Sequence, residues 1–421
     1  MTSQNMQPVR GTRDLLPEDN RAFRLIDATA WNAAQLYGFE ELNTPMFEFT
    51  HVFQKTLGET SDIVGKEMYT FLDRGNESLT LRPEGTAGIA RSFISEGMAQ
   101  NLPLKFYYVG PMFRYERPQK GRYRQFHQVG VESLGSDNPQ ADIEVLLLGH
   151  RILEQLKIID SDPSKNKCQV EINTIGDIES RKVYRNTLVE YLRDYESQLS
   201  ADSKIRLEKN PMRILDSKDD GDKKIVAGAP RMAASLNQAS VDFFGQITEA
   251  LATLKIPFVR NENLVRGLDY YCHTVFEFTS THLGAQGTIL AGGRYDGLIE
   301  MMGGPKVPGV GWAFGMERIA LLLQPEMTAK TKRVAAVICA EESAFVYCMG
   351  LAEKIRGAGF TVEQPSSGNM GKKFKRADKV GAEYAIIVGS SEMAKKSVSL
   401  KNLKTGEQKE VLEAELLKAL V

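Results

Sequence analysis

Residues 113–132 read FRYERPQKGRYRQFHQVGVE, a stretch that gathers Arg114, Arg117, Lys120, Arg122 and Arg124 among Phe113, Tyr115, Tyr123 and Phe126. The apolar runs on either side, LKFYYVGPMF at 104–113 and QVGVESLG at 128–135, make two antiparallel strands of it. PQKGR is the turn, with Gly121 supplying backbone freedom. Successive strand residues face opposite sides. Arg114 and Glu116 are therefore expected on one face, and Phe126, Gln128, Gly130 and Glu132 on one face of the return strand. That face offers a guanidinium, an aromatic ring, an amide and a carboxylate in a row, with a gap at Gly130 where a ligand can approach the backbone. An arginine fork matches phosphate, and a ring beside it suits a flat base. The same residues also describe a surface hairpin laced with ion pairs.

Four other stretches bear on the choice. TLRPEGTAG (80–88) puts Glu84 and Thr86 at a helix start, where an acid either caps the helix or holds a substrate ammonium. LVRGLDYYCHTVFEF (264–278) clusters Arg266, Asp269, Tyr270 and Tyr271 before a strand; the tyrosines equally suit a core with one wet end. AGGRYDGL (291–298) has paired glycines for a close approach or a bulge. GVGWAFGMERI (309–319) is a glycine-spaced strand breaking into a helix that carries Glu317 and Arg318. No Walker A pattern is present, since GNMGKK at 368–373 fails the spacing, and glycines 309, 311 and 315 do not make G-x-G-x-x-G. A phosphate site here is built from arginines on an antiparallel sheet.

Around this hairpin the chain is organised in two parts. Helices are expected at 18–37, 83–96 and 139–157, a hairpin at 68–82, and strands at 168–175, 257–280, 286–292 and 309–314, with a helix at 315–323. Residues from about 177 to 256 turn helical and charge-rich and read as an insertion. QPEMTAKTK at 324–332 is a linker. Beyond it, RVAAVICA, FTVEQ and EYAIIVG alternate with helices at 343–357 and 369–380, the pattern of a small α/β domain with a largely parallel sheet. The domains are thus 1–330, an α+β unit of antiparallel sheet flanked by helices, and 331–421.

A length of 421 residues is enough for two to four domains. The net charge of -1 excludes binding of nucleic acid by bulk charge; any such contact is local. From Thr331 onward, fifteen basic residues face eleven acidic ones. Four scattered cysteines and five histidines, with no C-x-x-C or H-E-x-x-H, argue against a structural metal site and fit a reducing cytoplasm. The first residues lack the apolar core of a secretory signal, and no apolar run approaches the ~18 residues of a membrane span.

FRYE…RYRQFHQVGVE followed by GMERI resembles motifs 2 and 3 of the class II aminoacyl-tRNA synthetases, and TPMFEF around Pro45 resembles their motif 1, a dimer element. LVRGLDYY with AGGRYDG is similar to the signature pair of the histidyl-tRNA synthetases; GTRDLLP at 11–17 and TLRPEGT match that family too. The resemblance covers essentially the whole chain. It implies a cytoplasmic homodimer that joins L-histidine to ATP as histidyl-adenylate, with Mg²⁺ accompanying the pyrophosphate, and passes the histidyl group to the end of tRNA(His). It assigns the α-phosphate to Arg114, adenine to Phe126 and the outer phosphates to Arg122 and Arg318. Arg266 sits across the reacting centre, where related enzymes rely more on a metal. Glu84, Thr86 and Gln128 face the α-amino group. Glu132, Tyr270 and Tyr271 surround the imidazole, with Tyr295 nearby. Arg117 and Gln119 match positions that meet the tRNA acceptor end, and Lys372, Lys373 and Arg376 lie in the anticodon-binding-type domain.

Cys272, His273 and the bulky Trp312 depart from the family pattern and put the pocket shape in question. His273 is expected to pack or tune, not to catalyse. MAKKS at 393–397 imitates a class I loop without its partner motif. The rival reading is a histidine-binding regulatory paralogue of ATP phosphoribosyltransferase, which generally lacks the C-terminal domain and has eroded arginines. A glycyl or threonyl enzyme of the same subclass is disfavoured by the signature pair.

Overall fold

The computed structural model describes residues 6–57, 63–160, 162, 165–217, 219–265, 270–284, 287–329 and 334–420. Its contacts divide the chain into Met1–Thr328 and Ala329–Val421. In the first unit the strands are β1 (Glu40–Glu41), β2 (Phe47–Phe49), β3 (Tyr69–Leu72), β4 (Ser78–Leu81), β5 (Leu104–Phe113), β6 (Gln125–Leu134), β7 (Gln169–Thr174), β8 (Val259–Arg260), β9 (Cys272–Thr279), β10 (Thr288–Arg294) and β11 (Gly309–Gly315). Eight of these form one sheet in the order β1-β5-β6-β11-β10-β9-β7-β8. The six central strands are antiparallel, as expected, and the short edge strands β1 and β8 pair parallel.

Alternation decides what each face of this sheet does. On β5 and β6, Tyr107, Val129 and Val131 point to the back, where they bury against helices Pro17–Leu36, Pro139–Gln155 and Gln238–Thr253. On β11, Val310, Trp312 and Phe314 join the same core, while Gly309, Gly311, Ala313 and Gly315 occupy the front. Helix Gln238–Thr253, placed in the insertion by its charge-rich surroundings, buries Phe244, Ile247 and Leu251 in this back core. The insertion's own core is smaller and gathers Tyr184, Leu188, Leu192, Leu207 and Ile214.

Helix Thr86–Ser95 covers part of the front face. It begins later than Pro83 would have it, because Glu84 accepts bonds from the first free amides, Thr86 N at 2.7 Å and Ala87 N at 2.9 Å. Beside it, β2, β4 and β3 form a separate three-stranded sheet. In its register Phe47, Leu81 and Tyr69 make one row and Phe49, Leu79 and Phe71 the next. Phe47, Phe49 and Phe71 are exposed.

The second unit contains β12 (Val334–Cys339), β13 (Thr361–Glu363), β14 (Tyr384–Val388), β15 (Ser397–Asn402) and β16 (Gln408–Leu412), ordered β13-β12-β14-β15-β16. The first three pair parallel and the last two antiparallel, so the sheet is mixed and larger than its α/β alternation alone predicts. Helices Phe345–Gly357 and Met370–Lys379 pack into different cores, which take alternate residues of β12.

Candidate active site

The front of the large sheet holds a cavity of about 1060 Å³. Glu84, Thr86, Arg114, Arg122, Phe126, Gln128, Glu132, Tyr270, Tyr271, Tyr295 and Arg318 all line it. Arg266, the remaining residue assigned to the reacting centre, lies outside the described residues.

One end is an acidic, aromatic cup. Glu132 is buried on β6 and accepts from Thr86 Oγ1 at 2.6 Å and from the Tyr295 hydroxyl. Burial pushes its carboxyl up to about 8; the bonds from Thr86 and Tyr295 pull the other way, and nearby Glu84 adds to the rise. Burial likewise raises Glu84, against the amides it caps. The capping and ligand readings of Glu84 are compatible, since a carboxylate has about four lone-pair sites. Tyr270 packs on Tyr271 at 4.6 Å and edge-on to Tyr295 at 5.7 Å. Glycines make the room. A Cβ on Gly311 would lie 2.0 Å from Glu132 Oε2, and one on Gly309 2.3 Å from the Tyr295 ring. The Gln128 Oε1 atom is buried in the wall without a hydrogen-bond partner.

The other end is basic. β5 stops at Phe113, so Arg114 and Glu116 sit in the loop beyond it and not on a strand face. They still meet. The Arg114 backbone amide donates to Arg124 O at 2.9 Å, its Nε donates to Pro83 O at 2.8 Å, and its guanidinium lies 5.3 Å from the Phe126 ring centre. Glu116 takes Arg122 at 3.0 Å and Arg114 at 3.8 Å. Sequence reasoning gave Glu116 no role, yet its carboxylate pairs with both arginines. Burial, then repulsion from Arg122, lowers the Arg318 pKa, with Glu277 and Glu116 opposing. That guanidinium stands at the start of a helix beside like charge, where an anion is welcome. Gly121 adopts φ +75°, the left-handed conformation its turn requires. Arg117 and Gln119 are exposed in this loop.

Buried scaffolding was also missed. Arg82 is pinned to Pro111 O and Thr44 O, both at 2.9 Å. Arg294, wholly buried, pairs with Asp142 and with Asp296 at 3.0 Å, and fixes the strand end that presents Tyr295. Its position inside AGGRYDG was the only signal. The insertion supplies an opposite wall, including Ser200, Asp202, Arg206 and Ser217. Its Asp222 accepts from the hydroxyls of Ser200, Ser203 and Ser217 at 2.6–2.7 Å. Burial alone would raise this group, but the Ser200 amide, which donates at 2.9 Å, and then those hydroxyls hold it down to about 2.

The departures from pattern leave the pocket intact. Trp312 turns its side chain to the back, donating Nε1–H to Val145 O at 2.7 Å and stacking on Phe314. His273 has φ 46° and packs on Phe243 at 4.7 Å, away from the cavity lining, with burial lowering its pKa. Cys272 Sγ accepts from Asp296 N at 3.4 Å. In the second unit, Lys372 and Arg376 are exposed on helix Met370–Lys379; Arg376 pairs with Glu363 at 2.6 Å, and Lys373 donates to Cys339 O at 2.6 Å.

An antiparallel sheet that sets an arginine-lined trough against a buried acidic cup, with no phosphate loop, is the arrangement of a class II aminoacyl-tRNA synthetase. The family model described as Histidyl-tRNA synthetase matches residues 11–319, and that described as Anticodon binding domain matches 334–421. The histidine–tRNA ligase of Rhodospirillum rubrum is 52% identical over 406 residues, 96% of each chain, and that of Gluconobacter oxydans is 48% identical over 99% of this chain and 98% of its own. A crystal structure of apo Staphylococcus aureus histidyl-tRNA synthetase superposes with a TM-score of 0.82 at 34% identity, covering 99% of this chain and all of that one. The chain belongs to the histidyl-tRNA synthetase family. The ligase relatives, together with the C-terminal domain, set aside the regulatory-paralogue reading.

Proposed function

We propose that this protein activates L-histidine with ATP and transfers it to the 3′ end of tRNA(His). The observation that carries the reading is the continuity of one cavity from the Glu132 cup to the Arg114–Arg122 trough, which seats an amino acid next to a nucleotide. A histidine carboxylate oxygen attacks the α-phosphorus, and pyrophosphate leaves on the opposite side. Arg114 is placed to meet the charge on the α-phosphate, Phe126 to stack adenine, and Arg122 and Arg318 to hold the outer phosphates once they leave Glu116. Such reactions are governed by positioning and electrostatics. Arg266 keeps the role across the reacting centre that the resemblance implies.

Glu84, Thr86 and Gln128 receive the ammonium, and Gln128 Oε1 is a waiting acceptor. Glu132, Tyr270, Tyr271 and Tyr295 receive the imidazole, whose two nitrogens need opposite kinds of partner in the neutral ring. Mg²⁺ enters with the ATP phosphates as part of the substrate. In the second step a ribose hydroxyl of the terminal adenosine attacks the adenylate carbonyl and AMP leaves. Arg117 and Gln119, exposed at the cavity's loop, are placed for the acceptor end. Lys372, Lys373 and Arg376 offer charge to the tRNA in the second unit; the Glu363 and Cys339 contacts of two of them must be exchanged on binding. The exposed rows of Phe47, Phe49 and Phe71 are what a second copy would cover, which supports a homodimer. No helix among the described residues is long and apolar enough to cross a membrane; the free cysteines favour a cytoplasmic site. Amino-acid-dependent ATP–pyrophosphate exchange, run with each of the twenty amino acids, tests the proposal: exchange with histidine alone is expected, and none with histidine refutes it.

A further inference from the structure

Two neighbouring phenols on β5 have opposite fates. Tyr107 faces the back and donates to Asp27 at 2.8 Å. Tyr108 faces the site and is 4% exposed; its hydroxyl is buried beside Thr86 and Glu132 but stands in good hydrogen-bond geometry to neither. A buried hydroxyl left without a well-formed bond is costly. Poor packing is not the reason. Tyr108 stands opposite Gly130 in the β5–β6 register. A Cβ on Gly130 would lie 2.2 Å from its Cζ, and one on Gly85 2.2 Å from its Cε2. The ring therefore fills a slot between two residues that have no side chain, and that slot holds the hydroxyl in place.

The groups around that hydroxyl are Glu132, Glu84, Thr86 and Tyr271. Those around Glu132 are Thr86, Tyr295, Glu84 and Tyr108. Thr86 and Tyr295 occupy one lone pair on each Glu132 oxygen, and a carboxylate has about four. Two remain, enough for one ligand N–H and one further donor. Without ligand, burial favours the neutral form of Glu132, and the phenol has no negative charge to answer. When a ligand N–H draws Glu132 into its ionised form, a third protein donor becomes valuable, because bonds to an ionised acceptor are roughly twice as strong as neutral ones.

We propose that Tyr108 is a positioning residue for histidine recognition, a donor held behind the cup that engages a free lone pair of Glu132 when histidine binds. The inference rests on the proposed function and acts through Glu132; Tyr108 does not touch substrate.

The test is ATP–pyrophosphate exchange on the full chain for wild type, Tyr108→Phe and, as a control, Tyr107→Phe, with KM measured for histidine and ATP across pH 5.5–9. Tyr108→Phe is expected to raise the histidine KM about tenfold, the worth of one bond to a charged group at the low end of its range, and to leave the ATP KM within about twofold. With a donor to the charged form gone, the Glu132 pKa in the complex rises, so the acid limb of kcat, which reports groups in the complex, moves to higher pH by about half to one unit. The substrate imidazole titrates alike in both proteins and cancels from the difference. Tyr107→Phe is expected to lower Tm without moving either KM or the limb. An unchanged histidine KM and limb in Tyr108→Phe overturns the inference, as does an equal loss for ATP and histidine or a limb that moves down. Absence of histidine-dependent exchange in wild type overturns instead the function on which it rests.

Discussion

Gly311→Ala adds one methyl group at the tightest point of the cup. Its Cβ would lie 2.0 Å from Glu132 Oε2 and 2.3 Å from Val131 O. The second contact cannot relax cheaply, because Val131 is held in the β6–β11 ladder, where Gly311 pairs with Glu132 and Trp312 with Val131. The carboxylate has to swing away, and its bond from Tyr295 breaks. Overpacking of this kind costs about 1–3 kcal/mol, and a bond to a charged group about 1.5–3 kcal/mol. With half or more of that falling on the complex, kcat/KM for histidine should fall about a hundredfold in pyrophosphate exchange. The ATP KM should stay within about threefold, since the trough formed by Arg114, Arg122 and Phe126 lies at the other end. Thermal unfolding on the same samples separates collapse of the fold from displacement of one side chain. A Gly311→Ala enzyme with wild-type histidine kinetics refutes the placement of Glu132 in the histidine site.

Other changes reach different parts of the molecule. Glu132 has a folded-state pKa of about 8, above its ordinary value, so its contribution favours the ligand-free fold at low pH and is lost as pH rises from about 4.5 through 8. The Tm of the free protein should therefore fall between pH 6 and 9, and the fall should be shallower in Glu132→Gln; an identical slope refutes this. Arg114→Ala should lower the adenylation rate about 10²–10³-fold, the usual loss of one preorganised donor, read by single-turnover adenylate formation with histidine binding retained. Phe49→Asp, on the exposed rows of the small sheet, should give a monomer by light scattering; an unchanged mass removes that face as the dimer contact. Trp312→Phe should cost about 1–3 kcal/mol of stability through the lost bond to Val145 O and lost volume, with the histidine KM unmoved.

Much of this site is legible in the sequence because it lies on strands, where period-two alternation assigns faces. Phe126, Gln128 and Glu132 share a face on paper and line one cavity in space; the gap expected at Gly130 on that face is filled by the Tyr108 ring and not open to a ligand. The same reasoning fails one residue past the strand end. Alternation makes strand neighbours of Arg114 and Glu116, yet loop bonds place them, and alternation says nothing of a loop. Glu116 as the arginines' partner, Arg294 as a buried knot and the insertion as a wall all depend on contacts between distant segments, which no local pattern encodes. The mixed sheet of the second unit was more accessible. SVSLKN and QKEVL flank LKTGE, with Gly406 at φ +77°, a hairpin signal that the β-α-β rhythm before it outranks. Trp312 shows the opposite failure: its bulk raised a question about the pocket that the alternation of its own strand already answered.

The alternation of β11 has a further consequence. Three of the four front positions, Gly309, Gly311 and Gly315, carry no side chain, and the fourth, Ala313, carries a single methyl. The back positions carry Val310, Trp312 and Phe314, which anchor the strand. The space over this strand is thus already near its maximum. Lineages or engineers seeking a smaller amino-acid substrate cannot simply add methyl groups at Gly309 or Gly311, because those would meet Tyr295 and Glu132 before any substrate. Those seeking a larger one find almost nothing there to remove, and must enlarge the pocket from the tyrosines or from the helix that starts at Thr86. Substrate size is thus held in both directions by this strand, and changes in it have to come from the side chains that face it.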